Sequence, residues 1–213
     1  TAMDDCCANK SCEIATLALQ ADQRRVLIVV LVINLTMFFV EFSAGIIAQS
    51  TALQADAVDM LGDAIVYAMS LYALNRGARW EAGAALAKGL IILVFFLVIV
   101  VEIVLKVMHG VPPSSRLMLI FGGLALVANL SCLALLWRFR KLNVNMSSTF
   151  ECSRNDVIAN LGVLLAAASV AALGTGWPDI VVGSLIALLF LRSAIRVLRE
   201  AWPQFRSTPG RAL

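Results

Sequence analysis

Three aspartates lie within one short apolar stretch, LQADAVDMLGDAIVY, which covers residues 53–67. Residues four apart share one face of an α-helix, so Asp59 and Asp63 would project their carboxylates side by side. One charge near the centre of a bilayer costs about 2.5 kcal/mol or more. Two like charges one turn apart cost more unless a cation or a proton lies between them. The stretch therefore predicts a site that binds cations or protons inside a membrane.

A second polar pair lies in the stretch FECSRNDVIANLGVLLAA, where Cys152 and Asp156 repeat the spacing of four residues. Asn160 extends the same helical face by a further turn. These side chains again stand in a run of apolar residues, and intramembrane acids mark functional sites more often than structural ones.

If the two helices pack antiparallel, Asp59 lies near Asp156 and Asp63 lies near Cys152. Three carboxylates and a thiolate suit a tetrahedral ion such as Zn²⁺, and the sulfur adds tolerance for softer ions such as Cd²⁺. Mg²⁺ is a poor match because it prefers six oxygen ligands. We expect this metal site to consist of Asp59, Asp63, Cys152 and Asp156.

The composition indicates that these helices cross a membrane. The 213 residues are 61% hydrophobic and 15% charged, with a mean hydropathy of +0.88. A helical span needs about 20 apolar residues, and lipid-facing backbone must close its own hydrogen bonds. We predict an all-α polytopic membrane protein with six spans, at residues 26–48, 51–74, 82–108, 117–137, 148–173 and 179–198.

Lys and Arg residues fall on alternate loops, which predicts the orientation. They precede span one, lie between spans two and three and between spans four and five, and follow span six, whereas the opposite loops are nearly uncharged. Both termini are therefore expected in the cytoplasm, and the bacterial inner membrane is the expected location. The net charge of +3 is small and spread out, so nucleic-acid binding is not expected.

The segments outside the spans are short. We predict a cytoplasmic tail at residues 1–25, a six-helix transport domain at residues 26–200 and a short cytoplasmic tail at residues 201–213. The first tail contains Cys6, Cys7 and Cys12. Two interpretations remain open for these cysteines: an accessory site that captures metal for the pore, or incidental thiols in a disordered tail.

Other polar residues of the spans have candidate supporting roles. Glu41 stands alone in span one and is expected to bind a proton or to pair helices. Asn160 is a candidate for a similar supporting role beside the metal ligands. Asp56 lies one turn before Asp59, nearer the outer end of span two. It is either an acid at the entrance to the site or a residue exposed to solvent there. Nearer the outside, Glu102 and Lys106 have the spacing of an ion pair on one helix, and Asp179 is placed to cap span six.

These motifs together resemble the cation diffusion facilitator family. The resemblance rests on the D-x-x-x-D of span two and on the ligand-x-x-x-D of span five, which V-x-x-N follows. It extends to NLTMFFVEFSAG in span one, STALQADAVD before span two and WPDIVVGSLIALLFLRSA in span six. The matching residues extend over almost the whole chain.

The resemblance implies a homodimer that exchanges cytoplasmic divalent metal for protons by alternating access. Its metal ligands correspond to Asp59, Asp63, Cys152 and Asp156, although most relatives carry His or Asp where this chain has Cys152. We expect a short member of the family that lacks the cytoplasmic C-terminal domain. Helix faces with small residues, such as Gly83, Ala84, Gly122 and Gly123, would then form the dimer contact.

Two other function classes compete with a carrier. A metal-dependent membrane phosphotransferase acting on lipid precursors would carry D-G-x-x-A-R before its later acids, and DAVDMLGDAIVY has no such pattern. We therefore do not expect an enzyme or a permanent cofactor. A cation channel without proton coupling has the same sequence features, and dependence of transport on an imposed pH gradient separates it from a carrier.

Overall fold

The computed structural model describes the backbone of residues 2–72, 78–141 and 144–206. Side chains are described from residue 21 onward, with gaps that include residues 78–85, 144–149 and 151–152. Within these ranges the chain forms six α-helices and no strand, which confirms the all-α prediction. The helices are α1 (Ala2–Ala48), α2 (Thr51–Tyr72), α3 (Ala78–His109), α4 (Ser115–Trp137), α5 (Val144–Leu173) and α6 (Trp177–Arg206).

Five stretches of the described residues are long and apolar enough to cross a membrane, judged by length and composition: Ala21–Ala48, Gly89–Met108, Ser115–Trp137, Ser153–Leu173 and Trp177–Arg196. With 22 residues, α2 is also long enough for a span, but its three aspartates set it apart from the other five. These five helices confirm integral membrane topology, and α2 is the helix of span length that carries three aspartates. The helix α1 also continues through the segment predicted as an N-terminal tail, and α6 continues to Arg206.

The helices pack in two groups. Helices α1, α2, α4 and α5 pack around one another, whereas α3 packs mainly on α6, and α2 contacts both members of that pair. The largest buried apolar cluster joins α1, α2, α3, α4, α5 and α6, with Leu53, Ile99, Met118 and Val163 among its members. Many large apolar side chains on the outer surface remain exposed, as expected where lipid replaces water. The acidic helix α2 therefore lies at the junction between the groups.

The junction is closed at the end that the loop charges assign to the outside. A Cβ atom added at Gly183 of α6 would lie 2.8 Å from the carbonyl carbon of Thr51 and 2.9 Å from the nitrogen of Ala52. Only glycine allows the two backbones this approach. Gly122 of α4 is likewise packed against Val163 and Leu164 of α5, so it is already used inside the chain and is not available for the predicted dimer contact.

Asp179 joins three helices at this outer end, and it corrects two predictions. Its carboxylate accepts hydrogen bonds from the backbone nitrogens of Thr51 (2.9 Å) and Ala52 (3.2 Å), so it caps α2 rather than α6, in whose first turn it lies. It also accepts a 2.6 Å bond from Lys106 of α3. Lys106 therefore pairs with Asp179, and the carboxylate of Glu102 is instead hydrogen-bonded by the Gln54 side chain.

Candidate metal centre

A chain of buried amides sets the alignment of α2 and α5. The Nδ2 atom of Asn160 donates a hydrogen bond to Oδ2 of Asp56, and Nδ2 of Asn129 on α4 donates to Oδ1 of Asn160 at 2.9 Å. All three side chains are almost fully buried. Because α2 and α5 run antiparallel, a contact between Asp56 and Asn160 places Asp59 and Asp156 at similar depths, one turn further along each helix.

The next turn of both helices lines a cavity of about 580 Å³. Asp59 and Asp63 of α2 and Asp156 of α5 all contribute to its wall. Asp63 and Asp156 are 5% and 4% exposed, and Asp59 is half-buried. The remaining wall is largely apolar and consists of Gly62, Ile92, Asn155, Ile158, Ala159, Gly162, Val182, Leu185, Ile186 and Leu189. The structure thus brings three of the four predicted ligands to the wall of one cavity, which is partly open to the surface of the bundle.

The carboxylates do not surround a single point. Among the described side chains, no three His, Cys, Asp or Glu residues lie close enough together to hold one ion. The fourth predicted ligand, Cys152, has its backbone in α5 one turn from Asp156, but its side chain lies outside the described residues. Ligation by these four residues therefore stays a prediction.

Asp63 has a hydrogen-bond partner that the sequence analysis missed. The hydroxyl of Tyr67 donates to Oδ2 of Asp63 at 2.7 Å, and Tyr67 is 1% exposed. The two residues are four apart on α2, so the same spacing that linked Asp59 to Asp63 also pointed to Tyr67. This donor restricts the rotation of the Asp63 side chain and so helps to fix the orientation of its carboxylate.

Asn129 was missed for a different reason. It is a single buried amide in the apolar run of α4, with no spacing that ties it to another polar residue. An amide is costly to bury without partners, so its presence in a lipid-embedded helix was a signal that it contacts another helix. The structure shows the partner to be Asn160.

Glu41 of α1 lies against Asp56 of α2 in the same buried region. Glu41 is 0% exposed and Asp56 is 1% exposed, and the two carboxyl groups are close enough to interact. Neither carboxyl oxygen of Glu41 has a hydrogen-bond partner among the described residues. The alternative that Asp56 is exposed to solvent is wrong, because α5 covers it.

The cysteines of the first tail give no further structural information. Cys6, Cys7 and Cys12 belong to α1 by their backbone, and their side chains lie outside the described residues. The capture site remains a prediction. Cys132 of α4, in contrast, is described and is a buried core residue that packs with Leu27, Val30 and Leu136.

Comparison with known families identifies the domain. Residues 27–204 match the cation efflux transmembrane domain family. The match begins just past the middle of α1 and ends near the end of α6, so it includes every helix that lines the cavity.

Three relatives of the chain have names that describe cation transport. The chain is similar to a "Cadmium, cobalt and zinc/H(+)-K(+) antiporter" of Bacillus subtilis, with 24% identity over 84% of this chain and 62% of the relative. It is 26% identical to the "Metal cation efflux system protein CzcD" of Cupriavidus metallidurans over 87% of the chain and 68% of the relative. The "Zinc transporter ZitB" of Yersinia pestis is 26% identical over 89% of the chain and 65% of the relative. The chain thus spans less than two thirds of the length of the Bacillus and Yersinia relatives.

Proposed function

Since the chain belongs to the cation efflux family, we propose that it carries divalent metal cations of the Zn²⁺ and Cd²⁺ type out of the cytoplasm in exchange for protons. One observation supports this most directly: Asp59, Asp63 and Asp156 line a single cavity from two helices of an apolar bundle. Buried carboxylates that converge in this way require a cation or protons to be stable in a membrane.

The proposed ligands are Asp59, Asp63, Asp156 and Cys152. Divalent ions of the zinc type accept carboxylate oxygen and thiolate sulfur in a tetrahedral arrangement, and cadmium favours the sulfur further. The metal is the transported substrate rather than a permanent cofactor. The names of the relatives include zinc and cadmium, in agreement with this donor set.

Exchange for protons follows from the chemistry of the ligands. Carboxylates and thiolates must lose their protons before they coordinate, so metal and protons compete for the same groups. In the empty site, neighbouring carboxylates repel one another and favour protonation. Metal that binds from the cytoplasm therefore releases protons there, and protons from the outside displace the metal once the site faces outward.

Alternating access requires the outer end of the junction to open. There the α3 and α6 pair is attached to α2 through Asp179 and Lys106, and the backbones of α2 and α6 touch at Gly183. We propose that the two helix groups rock about the site and that opening separates these contacts. We also propose that two copies of the chain assemble as a homodimer.

The enzyme alternative is not supported, because the family consists of cation efflux proteins. The channel alternative predicts zinc flux that does not respond to a pH gradient. Purified protein in liposomes that contain a zinc-sensitive dye distinguishes the two. We expect an imposed pH step to accelerate zinc uptake, and equal rates with and without the step would contradict proton exchange.

The same assay tests the site. Asp63→Asn and Asp156→Asn keep the shape of the side chain and remove its charge, so we expect zinc flux to fall to the level of empty liposomes. The matched control is Asp22→Asn, because Asp22 is 45% exposed and forms a surface pair with Arg138 at 3.5 Å. Wild-type flux through a correctly inserted Asp63→Asn protein would remove Asp63 from the proposed ligands.

A further inference from the structure

Two acids lie deep in the bundle without being among the proposed metal ligands. Glu41 on α1 and Asp56 on α2 are 0% and 1% exposed, and neither carboxyl oxygen of Glu41 has a hydrogen-bond partner among the described residues. Two ionised carboxylates side by side in an apolar interior repel each other, and each of them loses its hydration. One of the two acids therefore holds a proton when no cation is nearby.

The surroundings favour a pair with a single negative charge. The amide of Asn160 donates to Asp56, which supports one carboxylate. No described N–H or O–H donor reaches the Glu41 oxygens, and a second charge there would be buried without compensation. The pair therefore has one acidic proton that it can lose only when positive charge arrives nearby.

The metal site is the source of that positive charge. Asp56 precedes Asp59 by three residues on α2, a rise of about 4.5 Å along the helix. Its partner Asn160 follows Asp156 by one turn on α5. A divalent ion among Asp59, Asp63 and Asp156 would lie close to the pair without contacting it, and it would stabilise a second negative charge there.

We propose that Glu41 and Asp56 form a proton-binding site that is distinct from the metal ligands and carries one of the exchanged protons. When the ion binds from the cytoplasm, the pair changes from one carboxyl and one carboxylate to two carboxylates, and the proton leaves to the cytoplasm. When the ion departs to the outside, a proton from that side restores the pair. This inference rests on the proposed function and specifies where part of the coupling occurs.

Other titratable groups surround the pair and must be separated from it experimentally. On α2 they include the metal ligands, on α5 the nearest is Asp156, and α4 contributes Cys132 and the neutral amide of Asn129. At the outer end, Glu102 on α3 is hydrogen-bonded by Gln54, and Asp179 on α6 is paired with Lys106. Of these acids, Glu102 is suited as a control because it lies outside both the cavity wall and the pair.

Glu41→Gln is the decisive variant. Glutamine has nearly the shape of a protonated glutamate and can donate to Asp56, so it imitates the proton-loaded pair but has no proton to release. Zinc titration calorimetry in buffers of different ionisation heat counts the protons released per zinc bound. We expect zinc still to bind, with about one proton fewer than in the wild type.

Two further measurements test the same coupling between zinc binding and proton release. The dependence of log Kd for zinc on pH should become shallower by about one unit of slope in Glu41→Gln. Zinc flux driven by a pH step should fall at least tenfold. Asp56→Asn should have both effects, whereas Glu102→Gln should keep the wild-type proton count and slope.

The outcomes separate this inference from the proposed function. A wild-type protein that releases no protons on binding zinc contradicts proton exchange itself. A wild type that releases protons, with Glu41→Gln and Asp56→Asn releasing the same number, overturns only the proton pair. If both variants fail to fold, infrared difference spectra of the wild type decide, because zinc must remove a protonated-carboxyl C=O band. An unchanged band there refutes the inference.

Discussion

Replacement of Asp179 by asparagine tests how the outer end of the bundle is held together. The Asp179 carboxylate is fully buried and accepts bonds from the Ser50 hydroxyl at 2.6 Å, the Thr51 hydroxyl at 2.8 Å and the Lys106 ammonium at 2.6 Å. It also caps α2 through the backbone nitrogens of Thr51 and Ala52. Asparagine keeps the shape and one acceptor oxygen, but it leaves the Lys106 charge without its partner.

The size of the expected stability loss follows from the unpaired charge of Lys106. The Lys106 side chain is 8% exposed, and removal of one partner from a buried ion pair costs about 3–5 kcal/mol. Part of the helix cap survives in asparagine, so the cap adds at most about 1 kcal/mol. For a chain of this length, about 2–4 °C of melting temperature corresponds to each kcal/mol. With a total loss of about 3–6 kcal/mol, we therefore expect Asp179→Asn to melt about 6–24 °C below the wild type.

Tryptophan fluorescence during heating in detergent measures this shift, and Asp22→Asn provides the same chemical change at an exposed pair worth less than about 1 kcal/mol. The double variant with Lys106→Met removes both charges, so it should be more stable than Asp179→Asn alone. The coupling energy from this cycle should exceed about 1.5 kcal/mol. A shift below 2 °C, or single effects that simply add, would refute the buried pair as the bond between α2, α3 and α6.

Three further predictions concern selectivity, packing and assembly. Cys152→Asp should favour Mn²⁺ over Cd²⁺ and Cys152→His should keep Zn²⁺ while weakening Cd²⁺, because sulfur suits soft ions; competition assays in liposomes measure the order, and an unchanged order in Cys152→Ala would show that the thiol is no ligand. Gly183→Ala should destabilise by about 1–3 kcal/mol because its Cβ would press on the backbone of Thr51, whereas Gly162→Ala, whose Cβ would lie 3.7 Å from Val182 at ordinary contact distance, should not lower the melting temperature. The purified chain should be a dimer in lipid, with close approach at small residues such as Gly123, and mass measurements that find only monomer would contradict this.

Sequence alone determined the helices and most of their ends. The predicted first span ends at Ala48, as α1 does, and the predicted fourth span ends at Trp137, as α4 does. The reason is local: apolar runs of span length must be helical in lipid, and polar loops interrupt them. Spacing within one helix was equally informative, since it placed Asp59 beside Asp63 and, had it been applied once more, Tyr67 beside Asp63.

Contacts between helices were decided only by the tertiary structure. Lys106 had Glu102 one turn away on its own helix, yet it pairs with Asp179 from α6, because the rotation of α3 and α6 against each other brings that carboxylate closer. Asp56 could have been exposed until α5 placed Asn160 over it. Sequence spacing fixes neighbours along one helix face, whereas the partner across an interface depends on how the helices are rotated and shifted, and these quantities arise from packing of the whole bundle.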